Sequence, residues 1–311
     1  MDKKSSTPEK YKSLSEALAR MNAPKPKHPL ITVLNGIDNH LDIALPKETH
    51  TLSFYKISFR PNVGGSLKYG QTYFDFNEGG MLFAAPNQII GNNELELNSE
   101  KDCISQQITL LFHPDFILKY PLCKTIKQYN YFSYGANEAL YLSEEEKQVI
   151  LSIFRIMEGE LDSRIDEFSQ DVMISQIELL LNYANRFYKR QFITRQAPNN
   201  DILLKLETIL NEYFEKQKTV ENGIPTVHYL ADSLHMSPGY LSDLLRSLTG
   251  QSAQQHIHNK LIENAKVLLS TSSFSVAEIA YELGFEHSQS FNRLFKRKTD
   301  LTPLKFRTSF N

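Results

Sequence analysis

The sequence predicts an α+β protein: a β-rich N-terminal domain, then a pair of long helices, then an all-α C-terminal domain in which two copies of one motif are joined by a connector helix. Three observations carry this prediction. At 311 residues the chain exceeds an ordinary single domain. Its first half alternates apolar and polar residues in short runs broken by Gly and Pro. Its last third repeats itself: Val227, Leu230, Ala231, Leu234 and Met236 return as Val276, Ile279, Ala280, Leu283 and Phe285, and Leu241, Leu244, Leu245 and Arg246 return as Phe291, Leu294, Phe295 and Lys296.

Composition sets the frame for reading each segment. Hydrophobic residues make up 41% and charged residues 23%, ordinary for a soluble globular chain. Residues 1–21 hold five basic side chains and no apolar run, so no secretory signal is expected, and no stretch approaches the ~18 apolar residues of a membrane span. A cytoplasmic protein follows as the expectation, with Cys103 and Cys123 as reduced thiols. The net charge of −2 is unequally spread: residues 227–311 carry +2 and the rest −4. The sharper signal is the cluster Arg293, Lys296, Arg297 and Lys298 on one predicted helix. Taken alone such a cluster describes a solvated helix face.

Residues 1–29 read as a mobile arm: Leu14, Ala17, Leu18 and Met21 give a turn or two of amphipathic helix before Pro24, Pro26 and Pro29 end it. Residues 30–140 form the β domain. Strands are expected at 51–59, 73–76, 81–85 and 104–112, separated by Gly64-Gly65, Gly79-Gly80 and Pro86-Asn87; a sandwich or a small barrel satisfies this pattern equally. After the last strand, Pro114 suits the first position of a helical turn.

Residues 141–193 predict a helical hairpin. Ser143 and Glu146 make a capping box, and Val149, Ile150, Ile153, Phe154 and Met157 form one apolar stripe. A second helix over 167–192 carries Met173, Ile177, Leu180, Leu181, Ala184, Phe187 and Tyr188 on one face. The stripe packs either on the β domain or on another subunit. Residues 194–200, with Pro198 and two asparagines, predict a linker, and 201–311 the C-terminal domain, with a helix opening at Asp201 and a polar loop over 216–225.

Within that domain, residues 226–250 and 275–299 each read as helix, tight turn and second helix, the helix-turn-helix pattern whose second helix enters the DNA major groove. Ser237-Pro238 opens one second helix, and Gly284 supplies the turn of the other unit. The connector, about 252–269, has Ile257, Leu261, Ala265 and Leu268 on one side; some eighteen helical residues span ~27 Å, which suits two recognition helices in successive major grooves.

Residues 230–307 also resemble the DNA-binding domain of the AraC/XylS transcription regulators. The resemblance rests on Leu230-Ala231-Asp232, Thr249-Gly250-Gln251-Ser252, Ala265-x-x-Leu268-Leu269, Leu283-Gly284-Phe285, Arg293-x-Phe295-Lys296 and Thr302-Pro303-x-x-Phe306-Arg307, with Lys260 where the family usually has arginine. It implies a cupin-like jelly-roll sensor for the β domain and a homodimer formed through the helical hairpin. The partners it implies are double-stranded DNA, RNA polymerase and a small-molecule effector, with no membrane and no cofactor.

By position in the motif, Ser288, Gln289, Asn292 and Arg293 of the second unit face base edges, where Gln and Asn pair with adenine and Arg with guanine. Gly239, Tyr240, Ser242 and Asp243 are their counterparts in the first unit, a weaker set because Asp243 repels phosphate. Arg246, Lys260, Lys296 and Arg297 are placed for phosphates. Tyr55, Tyr69, Tyr73, Phe74 and Phe83 are candidates for an effector pocket, although core packing explains them as well. Two other readings remain: a regulator whose barrel only dimerises, and a cupin-type small-molecule enzyme with an accessory helical domain. The enzyme would need converging metal ligands, yet His40, His50 and His113 stand alone, and neither a catalytic triad nor a phosphate loop is present. No catalytic or metal-binding residue is therefore assigned.

Overall fold

The computed structural model describes residues 9–39, 50–61, 66–69, 72–75, 79–90, 107–135, 138–164, 166–194, 196–215 and 218–309, in two compact units, Met1–Gln191 and Phe192–Asn311. Strands of the first unit are β1 (Glu9–Tyr11), β2 (Ile31–Asn35), β3 (His50–Leu52), β4 (Tyr55–Arg60), β5 (Ser66–Tyr69), β6 (Thr72–Asp75), β7 (Gly80–Ala84), β8 (Ile89–Ile90), β9 (Ile108–Phe112) and β10 (Leu140–Tyr141). Its helices are α1 (Leu14–Arg20), α2 (Gly36–Asn39), α3 (Leu122–Thr125), α4 (Glu144–Asp162) and α5 (Ser169–Thr194), whose last residues enter the second unit.

The main sheet is antiparallel, in the order β10-β7-β4-β9-β2; β1-β3-β8 form a smaller sheet and β5-β6 a hairpin. Register separates its two faces. Tyr55, Ile57 and Phe59 lie opposite Phe112, Leu110 and Ile108, and with Met81 and Phe83 they form an apolar face. That face packs on the helices: Phe59 stacks on Phe154 of α4 at 6.5 Å, and Phe83 meets Tyr131 at 4.6 Å and Tyr188 of α5 at 6.2 Å.

The capping box of α4 forms at Ser143 and Glu146. Its apolar stripe faces its own unit, with Ile150, Ile153, Phe154 and Met157 buried, as are Met173, Ile177, Leu180, Leu181, Ala184, Phe187 and Tyr188 of α5. Along this stripe the structure shows the first of the two alternatives, packing on the β domain. The sheet offers a ready apolar surface of matching size, and hydrophobic burial is non-directional. Three side chains stitch α5 to the sheet edge: Tyr188 Oη donates to Glu138 O (3.1 Å), Gln191 Oε1 accepts from Tyr141 N (2.8 Å), and Arg190 reaches Tyr141 O (2.7 Å) and Glu146 (2.6 Å).

Two boundaries differ from the sequence reading. The predicted mobile arm is folded from residue 9 onward: β1 pairs in parallel with β3, Ser13 caps α1 by accepting from Glu16 N (3.2 Å), and Leu14, Ala17 and Leu18 are buried with Leu34, Leu52, Phe54 and Leu111. Three apolar side chains suffice once a sheet face covers them, and that face comes from distant sequence. The predicted linker at 194–200 is helical over 196–200, because α6 starts at Gln196 rather than Asp201. Pro198 stands in the first turn, where a missing amide hydrogen costs no intrahelical bond.

The second unit consists of α6 (Gln196–Glu215), α7 (Lys218–Asn222), α8 (Val227–Ser233), α9 (Pro238–Thr249), α10 (Ala253–Thr271), α11 (Val276–Glu282), α12 (Ser288–Thr299) and α13 (Pro303–Thr308). One core joins them, with Leu206 and Leu210 of α6, Leu241 and Leu245 of α9, Ile257, Leu261 and Ala265 of α10, and Phe291, Leu294 and Phe295 of α12 among its members. The stretch expected as a polar loop contains α7, because buried Thr219 donates to Glu282 O at 2.7 Å and ties it to the end of α11.

Candidate nucleic-acid interface

The two helix pairs, α8–α9 and α11–α12, share their construction. Thr226 and Ser275 cap the first helices, accepting from Tyr229 N (3.1 Å) and Glu278 N (3.2 Å). The turns pass through left-handed residues, His235 in one and Gly284 in the other. The second helices end alike: Thr249 donates to Leu245 O and Thr299 to Phe295 O, both at 2.8 Å, followed by left-handed Gly250 and Asp300. The duplication read in the sequence thus extends to the backbone that positions each second helix.

In the second unit, Phe291, Leu294 and Phe295 hold α12 to the core while Gln289, Asn292, Arg293, Lys296 and Arg297 are exposed and Ser288 is half-buried. Among the described residues no carboxylate forms an ion pair with Arg293, Lys296 or Arg297. Their charge remains directed to solvent, as phosphate contact requires. Nearby His258 has its pKa lowered by burial first and then by Arg297 and Lys298; burial also lowers that of His256, partly offset by Glu207.

The first unit differs. Gly239, Tyr240, Ser242 and Asp243 are all half-buried. Tyr240 lies edge-on to Phe192 at 5.1 Å, and Asp243 holds Arg246 at 2.9 Å. Lys260 is half-buried and 3.7 Å from Glu263. Both basic candidates outside α12 therefore have an acidic neighbour three residues away, which lowers the local positive charge.

A hydrogen-bonded chain absent from the sequence reading links the two halves. Asn259, in the first half of α10, donates to Gln251 Oε1 (2.7 Å) after α9 and accepts from Lys298 Nζ (3.0 Å) on α12. The 19 residues of α10 span ~28 Å. Arg307 Nε donates to Leu269 O (3.2 Å) near the rod's far end. Only the amide character of Gln251 and Asn259 was visible beforehand; their separation along the chain hid the partnership.

The pocket candidates fall elsewhere. Tyr55 stacks on Phe112 (5.0 Å) and meets Phe132 edge-on (5.1 Å), and burial raises its pKa; Phe83 lies among Tyr131, Phe132 and Tyr188. Both belong to the core under the helices. Tyr69, Tyr73 and Phe74 lie on β5 and β6, and their side chains are outside what is described, as are Cys103 and His40. His50 is buried against Tyr11, and His113 Nδ1 accepts from Asp115 N (3.2 Å). No helix among the described residues is long and apolar enough to cross a membrane.

Comparison with known proteins places the C-terminal geometry. A helix-turn-helix domain family matches residues 230–309. The chain is 24% identical over 217 residues to the HTH-type transcriptional regulator YobQ of Bacillus subtilis, covering 69% of this chain and 84% of that one. It is 27% identical over 161 residues to the HTH-type transcriptional activator RhaS of Citrobacter koseri, covering 51% and 55%. To the arabinose operon regulatory protein of Escherichia coli it is 35% identical over 78 residues, covering 25% and 27%. The last two matches thus span about half and about a quarter of the relatives' own length. Residues 230–309 thus form a helix-turn-helix domain of the kind that AraC-type transcription regulators carry at their C-terminus.

Proposed function

We propose that this regulator reads two adjacent DNA half-sites with α9 and α12, and that a small molecule bound by the N-terminal unit governs how the two are presented. The observation that carries the reading is the pair of alike, separately capped helix-turn-helix units on one core, with Gln289, Asn292 and Arg293 of α12 turned to solvent. In it α12 supplies base readout, while α9, with Asp243 engaged by Arg246, contributes mainly position. The antiparallel sheet acts as a cupin-like sensor, and ligand binding there shifts the population of DNA-competent arrangements. RNA polymerase and a second copy of the chain complete the proposed set of partners.

Selection of bound duplexes from a random pool by the full chain tests the reading. An enriched motif with two elements about one helical turn apart is expected; a pool that stays random refutes it. Arg293→Ala should weaken binding to the selected duplex by about 1–3 kcal/mol and flatten preference at one base position, leaving the other positions unchanged. Competition binding on single-base variants of the duplex reads this directly. A loss spread equally over all positions would make Arg293 a phosphate contact.

A further inference from the structure

The helix α10 packs against both α9 and α12. Much of that packing is apolar, through Ile257, Leu261 and Ala265 in the common core. Hydrophobic burial has no direction, so such a core resists separation of its helices more than it resists their sliding or turning past one another. Two readers that must meet the major groove in register need a directional contact as well.

One such contact runs from reader to reader. It begins in the last turn of α9, where Thr249 donates to Leu245 O and accepts from Gln251 N at 3.2 Å. The Gln251 side chain accepts from Asn259 Nδ2 at 2.7 Å, and Asn259 Oδ1 accepts at 3.0 Å from Nζ of Lys298 in the last turn of α12. Asn259 is the middle member: a single amide serves both neighbours, its nitrogen toward α9 and its oxygen toward α12. The duplication sharpens the observation, because position 251 corresponds to 301 in the second unit. There Leu301 N repeats the backbone bond to Thr299 Oγ1 at 3.3 Å, but its side chain is apolar and exposed. The backbone device is kept in both copies, and the amide side chain stands only in the copy that is followed by a second reader.

We propose that Asn259 is a positioning residue that fixes the separation of α9 and α12, and with it the half-site spacing that the chain accepts. The inference rests on the two-half-site reading above and names the residue that sets its geometry. One inserted base pair displaces a half-site by ~3.4 Å and turns it by about 35°. Bonds of 2.7 and 3.0 Å cannot stretch over that distance, so the chain of bonds opens on a mis-spaced duplex and its contribution is lost there. In Asn259→Ala that contribution is absent on every duplex, and discrimination between spacings shrinks accordingly.

Two measurements on the full chain test this. Competition binding compares the selected duplex with versions carrying one base pair more or fewer between its two elements. The penalty for altered spacing should fall by about fivefold in Asn259→Ala and in Gln251→Ala, both of which leave the charge unchanged, while affinity for the selected duplex stays within about threefold. The double variant should show the same fall as either alone, because each interrupts the same chain. The second measurement needs no DNA. Double electron–electron resonance between spin labels at the exposed positions Ser247→Cys on α9 and Ser290→Cys on α12, with Cys103→Ser and Cys123→Ser, should give one narrow distance that broadens in Asn259→Ala. An unchanged distance distribution, unchanged spacing penalties, or equal weakening at every spacing would each overturn the proposal. If selection yields no two-element motif while the distance broadens, the DNA-reading proposal fails and the positioning role of Asn259 stands.

Discussion

Phe295→Ala is expected to destabilise the C-terminal unit by about 4 kcal/mol, the largest effect of any substitution considered. Phe295 is fully buried and lies between Phe291 at 5.7 Å and Phe306 at 5.4 Å, so it joins α12 to α13 as well as to the common core. Removing the ring loses its transfer free energy and leaves a cavity that two flanking aromatic side chains, each fixed on its own helix, fill poorly. Because 4 kcal/mol is a large share of a domain's typical ~5–15, DNA binding should fail well below the unmodified protein's melting temperature. Urea unfolding of the full chain, followed by hydrogen exchange on peptides from residues 253–299, isolates the unit concerned. A loss under about 1 kcal/mol would mean that the core collapses around the gap, and that α12 is held chiefly by its ends.

Gly284→Ala should cost about 3 kcal/mol by a different route. Gly284 has φ +84°, and a Cβ there would stand 2.7 Å from the Gly223 carbonyl carbon, 2.9 Å from Ile224 N and 2.9 Å from Thr219 O. The left-handed conformation alone penalises an L side chain by about 1–2 kcal/mol, and backbone contacts that cannot swing aside add an overpacking cost of similar size. Gly250→Ala is the control: φ is +76°, but nothing lies within 4 Å of its added Cβ, so only the conformational cost of about 1–2 kcal/mol applies. Comparing the two variants by urea titration separates crowding from dihedral strain. Equal losses would show that α7 shifts to admit the methyl group.

The C-terminal unit was the most legible part of the chain because its signals are local. Apolar spacing, Ser or Thr ahead of each helix, and a left-handed residue between helices are all written within about ten residues of where they act, and the duplication supplies each of them twice. The same locality made Arg293 and its neighbours readable as solvent-facing. What escaped was long-range. The arm's helix α1 depends on Leu34 and Leu111 for cover, α7 depends on one hydrogen bond from Thr219 to Glu282, and Asn259 gains its role only when α9 and α12 come within reach. Two of the five pocket candidates, Tyr55 and Phe83, lie in the core for a related reason. Alternation along β4 was plain, but which face meets the helices is decided by register against β7 and β9, and that placed Tyr55 in the core and Lys56 on the other side. Pro198 misled in the opposite sense, since a breaker in a helix interior is harmless within the first turn.

Arg246 is held by Asp243 on α9, whereas Lys296 and Arg297 on α12 are exposed and have no acidic partner among the described residues. If each helix meets its own half-site, the release of condensed counterions on association is concentrated at one of them. Raising ionic strength would then loosen α12 steeply and α9 hardly at all. The ranking of duplexes, and not only their affinity, would become a function of the surrounding electrolyte.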